Sequence, residues 1–203
     1  MKRTFESELP AGYAQIFTID AKQKKTGLVL NAVSFLVQGI LYLICIPLLY
    51  IGGEPNFDLT LPELMISTAV LGVSLLLYIV LHELTHGAVY KILTKQKLSF
   101  GLSWSCAFCG VPNIYVYRGA SLLALTAPLI LFTLILAPIT VWLYFVHPVY
   151  YIMSLILLGV HIGGCSGDGY MTLLLLFKFK DKTLLLRDTG PCQWIYTKEN
   201  EEC

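Results

Sequence analysis

The chain has little charge. Of its 203 residues, 13% are Asp, Glu, Lys or Arg, where a soluble domain usually carries about 25%. The 14 basic and 13 acidic residues nearly cancel, leaving a formal net charge of +1. The strongly basic face that nucleic-acid binding favours is therefore missing, and no nucleic-acid partner is expected. No internal repeat, low-complexity linker or composition break marks a second soluble domain, so one domain over residues 1–203 is expected. The six cysteines are scattered. Cys106 and Cys109 form a C-x-x-C, but no second pair completes a structural zinc site, and a cytoplasmic setting argues for free thiols.

Apolar residues make up 56% of the chain and gather in four long runs. These lie at about 27–51, 64–93, 120–146 and 149–177. Each exceeds the roughly 20 residues that a helix needs to cross about 30 Å of hydrocarbon. The expected fold is thus an all-α integral membrane protein with four transmembrane helices, embedded in a lipid bilayer. The first run begins too far into the chain and is too long for a removable signal peptide, and it lacks a small-residue cleavage site. Basic residues alternate between the connecting segments. Lys2, Arg3, Lys22, Lys24 and Lys25 precede the first run, and the 52–62 loop has none. Lys91, Lys95, Lys97 and Arg118 follow the second, the His147–Pro148 link has none, and Lys178, Lys180, Lys182 and Arg187 follow the fourth. The positive-inside rule places both termini in the cytoplasm.

Short hairpin-like segments are expected outside the runs. Leu98, Phe100, Leu102, Trp104, Cys106 and Phe108 alternate with small or polar residues, the period of a strand. "GVPN" supplies a turn and "IYVY" a second strand. "KTLLLRDTGPCQWIYTK" reads as two strands around "DTGP".

Acids occur within the apolar runs only as Glu83 and Asp168, and three of the four histidines, His82, His86 and His161, share those runs. Ionisable groups at membrane depth are functional candidates, usually paired or metal-bound. His82 and His86 stand one helical turn apart on one face, so both imidazoles can reach a single Zn²⁺. Glu83 follows the first and can approach a metal-bound water, completing the H-E-x-x-H pattern of "HELTH". Zinc lowers the pKa of its water towards about 7, and a carboxylate can take the proton as that water attacks an amide. The bland reading is a polar cluster that mediates helix packing.

A catalytic zinc needs a third protein ligand and an open position. A third histidine at metzincin spacing is absent, since Val89 stands where its glycine belongs. The only downstream glutamates are Glu199, Glu201 and Glu202, at the end of the chain. Asp168 in "GGCSGDGYM" remains. By residue count Asp168 and His82 both lie about 27 Å into helices running the same way, at 1.5 Å rise per residue. The surrounding glycines allow close helix approach and room for water or substrate. His161, seven residues before Asp168, reads as an alternative ligand, a polar lining residue or, more plainly, a hydrogen-bonded packing histidine.

An H-E-x-x-H in one membrane helix with an Asp-Gly in a later one resembles the site-2 protease group of intramembrane zinc metalloproteases. "ELPAGY", "GDGYM" and "LLLRDTG" resemble the small bacterial zincin peptidase family. The resemblance implies His82, His86 and Asp168 as zinc ligands and Glu83 as catalytic base. It implies an intramembrane or membrane-surface endopeptidase acting on membrane-protein or peptide substrates. The Asn and Pro that usually precede the Asp-Gly in site-2 proteases are missing from "GVHIGGCSGDG". A rival from another class is a divalent-metal or proton transporter using the same ligands as an ion site.

Overall fold

A computed structural model describes residues 3–199, apart from Gly52 and residues 103–106. Four helical stretches are long and apolar enough to cross a membrane: Lys24–Tyr50, Leu61–Thr94, Arg118–Tyr144 and Pro148–Lys178. They match the four apolar runs within a few residues. In chain order the elements are β1 (Phe5–Glu6), β2 (Tyr13–Asp20), α1 (Lys24–Cys45, continued by a 3₁₀ turn Ile46–Tyr50) and α2 (Leu61–Thr94). Then come β3 (Ser99–Leu102), β4 (Ala107–Gly110), β5 (Tyr115–Tyr117), α3 (Arg118–Tyr144) and α4 (Pro148–Gly164). The chain closes with α5 (Ser166–Leu173), a π-turn over Leu174–Lys178, β6 (Leu185–Asp188) and β7 (Cys192–Lys198).

Local sequence explains the limits of α2. Thr60 and Glu63 form a capping box: the Thr60 main-chain N–H and hydroxyl donate to Glu63 Oε2 at 2.8 and 2.7 Å. At the far end the Thr94 hydroxyl donates to the Tyr90 carbonyl at 2.7 Å, and Lys95 turns left-handed with φ 57°, the usual exit from a helix. The 34 residues between run unbroken.

The fourth apolar run does not form one helix. It breaks at Cys165, where ψ is 6°, and restarts as α5. Gly163, Gly164, Gly167 and Gly169 surround the break, and glycine holds a helix weakly because it loses the most backbone freedom on folding. This run is also the least apolar of the four, with mean hydropathy 1.6 against 2.2 to 2.5.

The chain divides into two compact units. One comprises residues 1–30, 81–128 and 167–203, and the other 31–80 and 129–166. The first unit holds the β structure. Its five-stranded antiparallel sheet has the order β1-β5-β6-β7-β2. One core cluster gathers Tyr90, Val111, Ile114, Val116, Ala120 and Ala124. A second gathers Leu125, Met171, Leu175, Leu184, Leu186 and Ile195. The Arg118 Nε donates to the carbonyls of Leu175 and Phe179 at 2.8 and 3.0 Å, tying the start of α3 to the π-turn.

The second unit is helical. Gly159 and Gly163 of α4 face Tyr42 and Gln38 of α1, and a Cβ on either glycine would collide with those side chains. The Tyr42 hydroxyl donates to the Ile156 carbonyl at 3.3 Å, and that of Tyr151 to the Cys45 carbonyl at 2.9 Å.

The β structure differs from expectation in two places. Leu98 to Phe108 was expected as one strand paired with "IYVY". Instead β3 and β4 fold back on each other, Ser99 opposite Gly110 and Leu102 opposite Ala107, and β5 joins the larger sheet between β1 and β6. Burial decides this: Val111, Ile114 and Val116 are 0%, 3% and 0% exposed in the core around Tyr90, which a surface hairpin cannot offer. Ser103, Trp104 and Cys106 lie outside the described residues. Strands β1 and β2 were not expected at all, although the β-branched and aromatic run of "YAQIFTI" behind a Pro-Ala-Gly turn was a usable signal. The two strands around "DTGP" form as expected, with Asp188 opposite Gln193.

Candidate metal centre

All four residues singled out around "HELTH" and "SGDG" lie in the first unit. His82 and His86 stand one turn apart on α2, and their Nε2 atoms are 3.2 Å apart. Asp168, the third residue of α5, places Oδ2 3.3 Å from His82 Nε2 and 3.2 Å from His86 Nε2. Three donor atoms thus form a nearly equilateral triangle. A tetrahedral zinc with bonds of about 2.0–2.1 Å has ligand–ligand edges of about 3.3–3.4 Å, so the triangle has the dimensions that zinc requires.

The chemistry of the three atoms also fits. His86 Nδ1 lies 2.8 Å from the main-chain oxygen of Ala124. That carbonyl accepts only, so Nδ1 carries a proton and Nε2 is the nitrogen left to face a metal. It faces the Nε2 of His82 and a carboxylate oxygen, a donor set that suits a divalent cation. Both imidazoles are buried, at 8% and 6% exposure, while the Asp168 side chain is 22% exposed.

Glu83 is half-buried and accepts a main-chain hydrogen bond from Cys109 of β4. The β3–β4 hairpin reaches this position because α2 has a glycine one turn further on. A Cβ at Gly87 would stand 2.9 Å from the Phe100 ring, 3.1 Å from Leu98 and 3.2 Å from the Cys109 sulfur. Cys109 itself is 6% exposed. Burial and the nearby Glu83 and Asp188 charges push its thiol up to about 12, so it is a poor nucleophile. Cys106, its partner in the C-x-x-C, lies outside the described residues.

The glycines around the break divide by role. Gly167 and Gly169, which flank Asp168, would place a Cβ in open space, whereas Gly159 and Gly163 are packed. His161 lies in the second unit and is wholly buried. Its Nδ1 is 3.0 Å from the Tyr78 hydroxyl and its Nε2 3.0 Å from the Thr133 hydroxyl. Both ring nitrogens face hydroxyls, and the Cys165 sulfur lies 3.8 Å from Nδ1.

Sequence reasoning missed Ala124, Gly87, Tyr90 and Asp188. Ala124 contributes a main-chain oxygen and left no side-chain signal. Tyr90 did leave one, since it lies four residues after His86 on the same helical face.

Two histidines on one helix, a carboxylate from another and a glutamate beside the first histidine are the parts that a zincin-type metal site would need. A family profile described as "Putative zincin peptidase" matches residues 75–184. That covers more than half of the 203 residues, and the chain belongs to this family. Comparisons with curated proteins and with solved structures find no match.

Proposed function

We propose that this protein is a zinc-dependent endopeptidase that works within or at the surface of a membrane and hydrolyses peptide bonds of membrane-associated proteins. The observation that supports it most is the triangle of His82 Nε2, His86 Nε2 and Asp168 Oδ2, with edges of 3.2 to 3.3 Å and Glu83 beside it on α2. On this reading the four long helices cross the bilayer, both termini are cytoplasmic, and residues 1–203 act as one functional domain.

His82, His86 and Asp168 would hold the zinc. When bound, zinc supplies Lewis-acid chemistry that polarises the scissile carbonyl and lowers the pKa of water. Glu83 does the proton work: its carboxylate accepts a proton from the attacking water and returns it to the departing amine. A helical substrate hides its carbonyls, so the cleaved segment must be extended. The outer edge of β4 is taken up by Glu83 at Cys109, whereas among the described residues the outer edge of β3 is unpaired, and an extended segment that added to the hairpin there would be held near the base.

Glu83→Gln tests the reading. An amide of the same size cannot take the proton, so zinc should stay and cleavage of a membrane substrate should fall by about 100-fold or more. The measurement is zinc stoichiometry and product yield on purified protein in liposomes. Normal cleavage by the variant would remove Glu83 from the role. Divalent-metal flux without cleavage, unaffected by Glu83→Gln, would replace the peptidase with a transporter, which has no use for a base.

A further inference from the structure

The "RDTG" stretch takes no part in the chemistry above, yet it is tied by several hydrogen bonds. Asp188 is 3% exposed. Its Oδ2 accepts from the Tyr90 hydroxyl at 2.8 Å and from Gln193 Nε2 at 3.2 Å. Its Oδ1 accepts from the Gly190 N–H at 2.8 Å. Its main-chain oxygen accepts from the Val111 N–H at 2.8 Å. The preceding Arg187 donates through Nε to the Pro112 carbonyl at 2.9 Å.

Apart from Gly190 in the turn itself and Gln193 of β7, these partners belong to α2 and to the stretch that follows β4. Tyr90, 1% exposed, lies on α2 one turn beyond His86 and two beyond Glu83. Val111 and Pro112 directly follow β4, two and three residues past Cys109. Contact there is too close for any side chain. A Cβ on Gly110 would stand 2.5 Å from Gly190 N and 2.6 Å from Thr189 C, both backbone atoms that cannot swing away. Gly190 has φ +95° and its α-carbon is covered by the Phe108 ring, so it too must be glycine.

We propose that the turn from Arg187 to Gly190 is a positioning element that fixes the edge of β4 against the Glu83 helix, with Asp188 as the residue that holds both. The proposal rests on the peptidase reading for its consequence: the turn sets which bond of a substrate held by the β3–β4 hairpin comes opposite Glu83 and the metal ligands. One residue grips the helix through its carboxylate and the strand through its carbonyl. Loosening the grip lets strand and helix slide without touching a ligand.

The test uses the full-length protein with Tyr90→Phe, Asp188→Asn and Gly110→Ala, each checked first for zinc content. Hydrogen exchange read by mass spectrometry should show amides of 107–111 exchanging about tenfold faster, with 81–90 of α2 unchanged. With a membrane substrate, kcat should fall roughly 10- to 100-fold with KM little changed, because small misplacements cost that much. The products should also spread from one cleaved bond to its neighbours, a change that loss of fold alone does not produce. Tyr90→Phe combined with Asp188→Asn should cost less than the sum of the two single changes, since both act on the Tyr90–Asp188 bond.

Wild-type exchange at 107–111 in the variants, or slower cleavage at the same single bond, overturns the proposal. So does loss of zinc and of thermal transition together, which would make the turn merely structural. A wild-type protein that cleaves nothing would refute the peptidase reading instead, and the exchange experiment would still decide whether the turn holds β4 to α2.

Discussion

The Nδ1 of His86 stands 2.8 Å from the main-chain oxygen of Ala124. This bond fixes both the ring's orientation and its tautomer, and it comes from backbone that no side-chain substitution removes. The ligand set is thereby pre-oriented on one side by α3, through its backbone, and on the other by the short helix α5.

Metal content should separate the ligands from His161. Asp168→Ala and His86→Ala each remove one corner of the triangle, and zinc measured by mass spectrometry on purified protein should drop well below one per chain. His161→Ala should leave most zinc bound, because both of its nitrogens already face hydroxyls, of Tyr78 and Thr133. The opposite pattern would make His161 the third ligand. A thermal-shift series should agree: zinc should raise the transition of wild type in proportion to the logarithm of its concentration, and do so far less for Asp168→Ala.

Gly87 gives a prediction about the hairpin. Leu98, Phe100 and Cys109 leave room there for no side chain. Gly87→Leu should push the hairpin off α2 and lower cleavage by roughly 10-fold or more, with zinc content preserved. Full activity of Gly87→Leu would show that the hairpin's approach to Glu83 is not needed for cleavage.

Asp188 should leave a mark on stability against pH. Burial raises its carboxyl to about 6, against the lowering effect of its bonds from Gly190 and Tyr90, whereas the unfolded carboxyl titrates near about 3.9. Between those values the folded chain holds a proton that the unfolded chain has lost. The resulting stabilisation is complete below about pH 4 and disappears as pH rises through about 6. Asp188→Asn cannot titrate. The transition temperature of wild type relative to Asp188→Asn should therefore fall between pH 4 and 6 and level off above. A flat difference across that window would mean that the carboxyl is not held in its neutral form by burial.

Topology can be checked with reporters. Fusions at Cys203 should report a cytoplasmic location, and insertions in the 52–62 loop the opposite side, as the Lys and Arg alternation requires. An exported reporter at Cys203 would overturn the four-span arrangement proposed for the helices.

The sequence by itself determined what is driven by composition and by one-dimensional spacing. Four apolar runs became four helical stretches long enough to cross a membrane, three of them unbroken and the fourth interrupted at Cys165, because apolar residues dominate each run. His82, Glu83 and His86 were legible because helical periodicity alone puts i and i+4 on one face. Asp168 stood out because it is one of two acids in the apolar runs. Only the tertiary structure decided that Asp168 Oδ2 comes within 3.3 Å of both imidazoles, since residue counts give depth but not rotation about the helix axis. It also decided the break at Cys165, which follows from glycines whose effect depends on what packs against them. The pairing of β3 with β4, the departure of β5 to the larger sheet and the hold of Asp188 on Tyr90 were illegible for one reason. They join residues as many as 111 apart in the chain, Phe5 and Val116, and a strand's partner is chosen by burial and by backbone groups left to satisfy, neither of which local periodicity records.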